Sequence, residues 1–176
     1  HDNVIKRLGS PTFSTDEVSW AFAIESAYHS GMEIFDNEFV GAVDLNASLC
    51  GTYDGVEYEY ATWMHDNVFG ADPDPKEAYD NATYEETAII LEWRTEKTLI
   101  ERNMISGYNQ ALYFNVREGV YDFTFRNNEC TKLGGNAGSM LRMDGHGADM
   151  RVENFTLTDN LFEGDPDAMS GFGIIV

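Results

Sequence analysis

The 176-residue chain carries 31 Asp and Glu against 11 Lys and Arg, a formal net charge of −20, which argues against nucleic acid and against anionic membrane surfaces as partners. Hydrophobic residues make up 43% and aromatics 13%, enough to build a core and too many for a disordered acidic tail. No apolar run reaches membrane-spanning length, and two cysteines, Cys50 and Cys130, are too few for a disulfide-stapled miniature.

In chain order, the opening HDNV (1–4) returns as HDNVFG at 65–70. Further copies of the same theme follow the first: MEIFDNEFVG (32–41), ATWMHDNVFG (61–70), TLIERNMISG (98–107), FTFRNNECTKLG (123–134) and FTLTDNLFEG (155–164). Each is a β-rich run that reaches an Asn, then apolar residues and a Gly. The anchors are Asn3, Asn37, Asn67, Asn103, Asn127 or its neighbour Asn128 (Asn127 is taken), and Asn160. A second set of strand-like runs lies between them: WAFAIES (20–26), AVDLNASLCG (42–51), AIILEWR (88–94), ALYFNVR (111–117), SMLRMDG (139–145) and SGFGIIV (170–176). Hairpin signals of the Asn-Gly kind between alternating runs are absent. Helical periodicity is poor, and its best stretch, around Ala78 to Ile90, reads as a short helix in an insertion. That insertion, GADPDPKEAYDNATYEE (70–86), is acidic and Pro-containing and should be an exposed loop.

Two strands per period at a regular spacing predict an all-β parallel β-helix, or β-solenoid, of about five to six rungs, forming a single domain over 1–176. Like side chains then stack about 4.8 Å apart. An Asn at each corner tolerates the left-handed backbone of a sharp bend and hydrogen-bonds the rungs above and below, forming a ladder. A β-sandwich with unrelated Asn turns is the competing arrangement. The pattern resembles the pectate-lyase-like superfamily of right-handed parallel β-helices over nearly the whole chain, and the resemblance implies architecture alone, because that fold hosts many functions.

Catalytic signals are sparse. Gly145-His146-Gly147 resembles the Gly-His-Gly of polygalacturonase-type hydrolases. The resemblance implies paired carboxylates one rung earlier and a basic strand one rung later, yet FNVREGVYDF (114–123) has no Asp pair and the strand one rung after Gly-His-Gly, GFGIIV (171–176), has no cation. A lyase would need an Arg or Lys base beside a calcium site. Asp72-Pro-Asp74 and Asp165-Pro-Asp167 carry the oxygen ligands calcium takes, but read first as solvated acidic turns. His1, His29 and His65 fall in unrelated parts of the repeat. No catalytic residue, metal ligand or cofactor is assigned, and the chain is not expected to be an enzyme.

The ends suggest assembly. The chain begins at an Asn corner and finishes on an uncharged strand, so His1, Asp2, Asn3, Val4 at one end and Ile174, Ile175, Val176 at the other are expected to form a polymer joint. Asn46-Ala-Ser48, Asn81-Ala-Thr83 and Asn154-Phe-Thr156 are glycosylation sequons, with Asn46 and Asn81 taken as acceptors; with the acidity they point outside the cell. Cys50 and Cys130 fall three rungs apart, about 14 Å along the axis at the strand spacing, too far for an internal bridge, and are expected to cross-link neighbouring subunits. These features resemble the tubular sheath proteins of filamentous methanogenic archaea. The resemblance implies a structural envelope role: a head-to-tail homopolymer with lateral layer contacts and no membrane insertion. The alternatives are a polysaccharide-active enzyme, or a glycan-binding or adhesin fragment of a longer chain.

Overall fold

The computed structural model describes residues 2–6, 22–40, 42–53, 55–70, 87–108, 110–133, 140–147, 150–164 and 174–175. These hold seventeen strands. The first nine are β1 (Val4–Lys6), β2 (Phe22–His29), β3 (Met32–Phe35), β4 (Glu38–Val40), β5 (Ala42–Ser48), β6 (Thr52–Tyr53), β7 (Val56–Glu57), β8 (Thr62–His65) and β9 (Val68–Gly70). The rest are β10 (Thr87–Glu101), β11 (Met104–Ser106), β12 (Gln110–Arg126), β13 (Glu129–Leu133), β14 (Leu141–Gly145), β15 (Val152–Thr158), β16 (Leu161–Gly164) and β17 (Ile174–Ile175). No helix occurs among the described residues.

The strands form two parallel sheets and one small antiparallel pair. Six strands follow the order β1-β4-β9-β11-β13-β16. Nine strands form the other sheet, along β17-β14-β12-β10-β5-β2, with β15 added on β12 and β3 added through β8 on β10. The expected parallel β-helix of five to six rungs is corrected by this pairing. Its scheme broke each period into separate short strands at a corner. Here β10 and β12 instead run 15 and 17 residues and stay hydrogen-bonded to each other along their length, with one register shift between Trp93 and Arg94. Each long strand therefore holds two shorter ones along its length: β5 and β8 pair with successive parts of β10, and β14 and β15 with successive parts of β12.

The β6–β7 pair, Thr52↔Glu57 and Tyr53↔Val56, is a hairpin outside both sheets that the repeat pattern does not anticipate. Its turn includes Gly55 at φ +77, a backbone angle glycine takes without penalty. The expected insertion 70–86 lies outside the described residues apart from Gly70, the last residue of β9. The helix read over Ala78 to Ile90 is corrected where it can be followed, because Thr87 opens β10.

The core forms where inward side chains of both sheets stack in register. Phe39, Phe69, Ile105, Cys130 and Phe162 make one column, and Ile34, Met64, Ile100, Phe125 and Leu157 another. Phe39, Met64, Ile100, Ile105, Phe125 and Cys130 are all fully buried. Burial at about 25 cal/mol per Å² makes these columns the main source of stability.

Candidate functional site

Immediately before each Asn of the repeats the backbone passes through a left-handed residue: Asp2, Asp36, Asp66, Arg102, Asn127 and Asp159, with φ between 52 and 56. Asp and Asn adopt this conformation more readily than other non-glycine residues. Arg102 is the exception, and its guanidinium is held from outside by the Asp66 carboxylate at 2.8 and 2.9 Å and by Glu101. That contact draws the Asp66 pKa down to about 2.

The residue after each bend is an Asn. Asn37 Oδ1 accepts from Asn3 N (3.2 Å) and Nδ2 (3.0 Å), and Asn67 Oδ1 accepts from Asn37 N and Nδ2, both at 3.1 Å. The same double bond links Asn67 to Asn103 (3.0 and 2.9 Å), Asn103 to Asn128 (2.9 and 3.0 Å) and Asn128 to Asn160 (2.9 and 3.1 Å). Asn128 takes this position and Asn127 does not. In the Asn-Asn pair Asn127 supplies the left-handed bend and points outward, which corrects the assignment of Asn127 to the row. Beside each Asn, the next residue's amide donates to the carbonyl of the Asn one strand earlier: Glu38 to Asn3, Val68 to Asn37, Met104 to Asn67, Glu129 to Asn103 and Leu161 to Asn128, at 2.8–2.9 Å. The two sets run in opposite senses, the Asn N–H groups donating toward the later strand and the next amide toward the earlier one, and each set keeps its sense across the sheet, so the two edges of the six-stranded sheet are chemically unlike.

The remaining assigned residues scatter. Asp2, Asn3 and Val4 lie at the β1 edge of the six-stranded sheet, while Ile174 and Ile175 form β17 at an edge of the nine-stranded one. A direct strand pairing between them would join strands of different sheets. His1 and Val176 are outside the described residues, as are Asn81 and the four acidic-turn residues Asp72, Asp74, Asp165 and Asp167. Asn46 stands mid-strand between Ala27 and Glu92, half-buried, whereas sequon acceptors belong on open surface. Among the described residues the exposed sequon asparagine is Asn154, whose Nδ2 donates to Asp122 at 2.7 Å.

Both cysteines are free thiols. Cys130 is fully buried in the core column and its pKa is pushed up to about 12 by burial and by Glu129. A thiol there has no route to a neighbouring subunit, which corrects its assignment as a cross-link. Cys50 is half-buried, with Sγ donating to the Tyr58 carbonyl at 3.1 Å and its amide to Glu96 at 3.0 Å.

Elsewhere the sheet carries polar groups the sequence did not single out. Glu101, almost fully buried, accepts from Trp63 Nε1 (3.2 Å) and Arg126 Nε (2.8 Å). Next to it the rings of Tyr60, Trp63, His65 and Phe35 succeed one another at 6.3, 4.2 and 5.2 Å between centroids. At the Tyr60 end of this strip lies an open groove of about 640 Å³, lined by Glu57, Tyr58, Glu59, Tyr60, Lys97 and Asp122. On the outer side of the nine-stranded sheet, Asp44 is buried with Oδ1 unpartnered. Desolvation, with Glu92 and Glu25 nearby, pushes its pKa up to about 7. His29 sits among Ser26, Ser48 and Thr62 hydroxyls, and burial lowers its pKa to about 4. The Gly145–Gly147 turn is a packing feature: a Cβ at Gly147 would stand 2.1 Å from the Arg117 carbonyl oxygen, and His146 between them is exposed. Among the described residues no set of three or more His, Cys, Asp or Glu is arranged to hold a metal ion. No protein-family model, no curated protein and no solved structure matches the chain.

Proposed function

We propose that the chain is a structural subunit of an extracellular layer, self-associating by addition of parallel strands at unlike sheet edges. The one-way hydrogen-bond row through Asn3, Asn37, Asn67, Asn103, Asn128 and Asn160 carries this reading. A sheet whose strands all run one way cannot pair edge to edge with a two-fold copy of itself and keep its pattern; copies add head to tail. In that arrangement Asn160 of one copy faces Asn3 of the next, and the amide of Val4 reaches the Asn160 carbonyl, repeating the Leu161-to-Asn128 contact. At the two edges Val4 is 61% and Leu161 50% exposed, so an apolar side chain stands at each position where the row would continue, on strands that also carry Lys6 and Glu163.

Electron microscopy and light scattering of the purified protein test this, with Val4→Pro as the variant. By the alternation along β1, the Val4 amide points away from β4, so proline removes an intersubunit donor without breaking a bond to β4. Extended or ring-shaped assemblies for the native chain, and a monomer with unchanged thermal melt for Val4→Pro, are expected. A native chain that stays monomeric at every concentration, or a variant that assembles like the parent, overturns the proposal.

A further inference from the structure

The groove beside the aromatic strip combines aromatic rings with an excess of carboxylates. Three carboxylates and one ammonium line it, together with two tyrosines. Tyr58 is seated on bare backbone: a Cβ at Gly31 would lie 2.2 Å from its ring carbon, and Gly31 itself has φ +67. No larger residue fits beneath the ring in this position. Tyr60 packs on Trp63 with centroids 6.3 Å apart. Lys97 is the one cation among the lining residues; the arginines beside the strip are paired outside the groove, Arg126 to Glu101 and Arg102 to Asp66 and Glu101.

We infer that this groove receives a lysine or arginine side chain of a partner polypeptide, its alkyl stem against the Tyr58 and Tyr60 rings and its charge between Glu57 and Glu59. The electron-rich ring faces attract a cation, and carboxylates at the rim complete the recognition. The excess of negative charge in the groove selects a basic partner over a neutral or acidic one. Binding in the groove does not depend on self-association and stands or falls separately from it.

Calorimetric titration with a short Lys-rich peptide tests it, using a Glu-rich peptide and a neutral oligosaccharide as comparison ligands. Saturable 1:1 binding of the basic peptide is expected. Tyr58→Leu keeps the bulk over Gly31 but removes the aromatic face, and should weaken binding about tenfold. The double variant Glu57→Gln/Glu59→Gln should weaken it by at least as much. Its control is Glu38→Gln/Glu129→Gln, which removes the same charge from the outer face of the six-stranded sheet and should leave affinity within about twofold at physiological salt, where distant charges are screened. Equal losses in the two double variants would show diffuse attraction to an acidic protein and overturn the inference. So would an unchanged affinity for Tyr58→Leu, or binding of the oligosaccharide in place of the peptide.

Discussion

Asn103→Ala isolates what the asparagine row contributes. The Asn103 side chain is 1% exposed and makes five bonds. Oδ1 accepts from Asn67 N and Nδ2, and Nδ2 donates to Met64 O, Glu101 O and Asn128 Oδ1. Not all of these leave an orphan. The Asn67 carboxamide keeps the Ile34 and His65 carbonyls at 2.9 Å, and Asn128 Oδ1 keeps the Asn103 backbone amide at 2.9 Å. The Asn67 backbone N–H, in a residue 1% exposed, loses Asn103 Oδ1 as its acceptor. One stranded buried donor costs about 1–3 kcal/mol and the lost bonds about 1 more, so the expected destabilisation is about 2–4 kcal/mol. Asn160→Ala is the internal comparison. It strands the Asn128 amide, in a residue 2% exposed, but Asn160 itself is half-buried on the edge strand, so its truncation lets water reach that amide and should cost about 1 kcal/mol or less. Asn103→Asp should be worse than alanine, because a second carboxylate oxygen would face three acceptors. Urea unfolding with a shared slope measures all three. Equal losses at positions 103 and 160, or a loss below about 0.5 kcal/mol at 103, would falsify the view that the buried row holds the sheet.

Asp44→Asn should stabilise the protein in alkali. The folded pKa, about 7, lies above the ordinary 3.8, so the folded state holds a proton that the unfolded state has lost. Stability therefore falls as pH rises from about 4 to 7, and the substitution recovers on the order of 2–4 kcal/mol above pH 8 and nothing below pH 4; melting curves parallel to wild type across that range would refute it. Cys130 should resist alkylation until the protein unfolds while Cys50 reacts slowly in the native state, as read by mass spectrometry with and without denaturant; rapid native labelling of Cys130 would show that the core column opens.

The repeating strand-Asn-apolar-Gly theme was legible because it reflects a local need: a left-handed residue and a carboxamide side by side at each bend. Where one residue could fill both roles, as in Asn127-Asn128, spacing alone could not say which did which. The sheet arrangement was less legible. Pairing of β10 with β12 through the bend at Trp93 depends on contacts 23 to 25 residues apart in sequence, not on the corner residues themselves. The hairpin was missed although Asp54-Gly55, a turn dipeptide, stands in the sequence; the flanking strands are only two residues long, too short to establish a period. Cys130 misled for a different reason. Thiol chemistry and cell compartment suggested a bond, while its place between Ile105 and Phe162 makes it a small apolar side chain. The tyrosine groove draws on 57–60, 97 and 122, and nothing in any one segment announces the others.

The links of the asparagine row also set how the chain must find its structure. Their partners lie 34, 30, 36, 25 and 32 residues apart. Closing such loops costs nearly the same entropy for each, since the cost grows only with the logarithm of length. No pair of neighbouring strands therefore has a head start. The slow event is the first pairing, and every later strand docks on a template already in place. Protection against hydrogen exchange should accordingly decline outward from β9 and β11 at the centre of the six-stranded sheet to β1 and β16 at its margins, with the last strand to dock the first to leave.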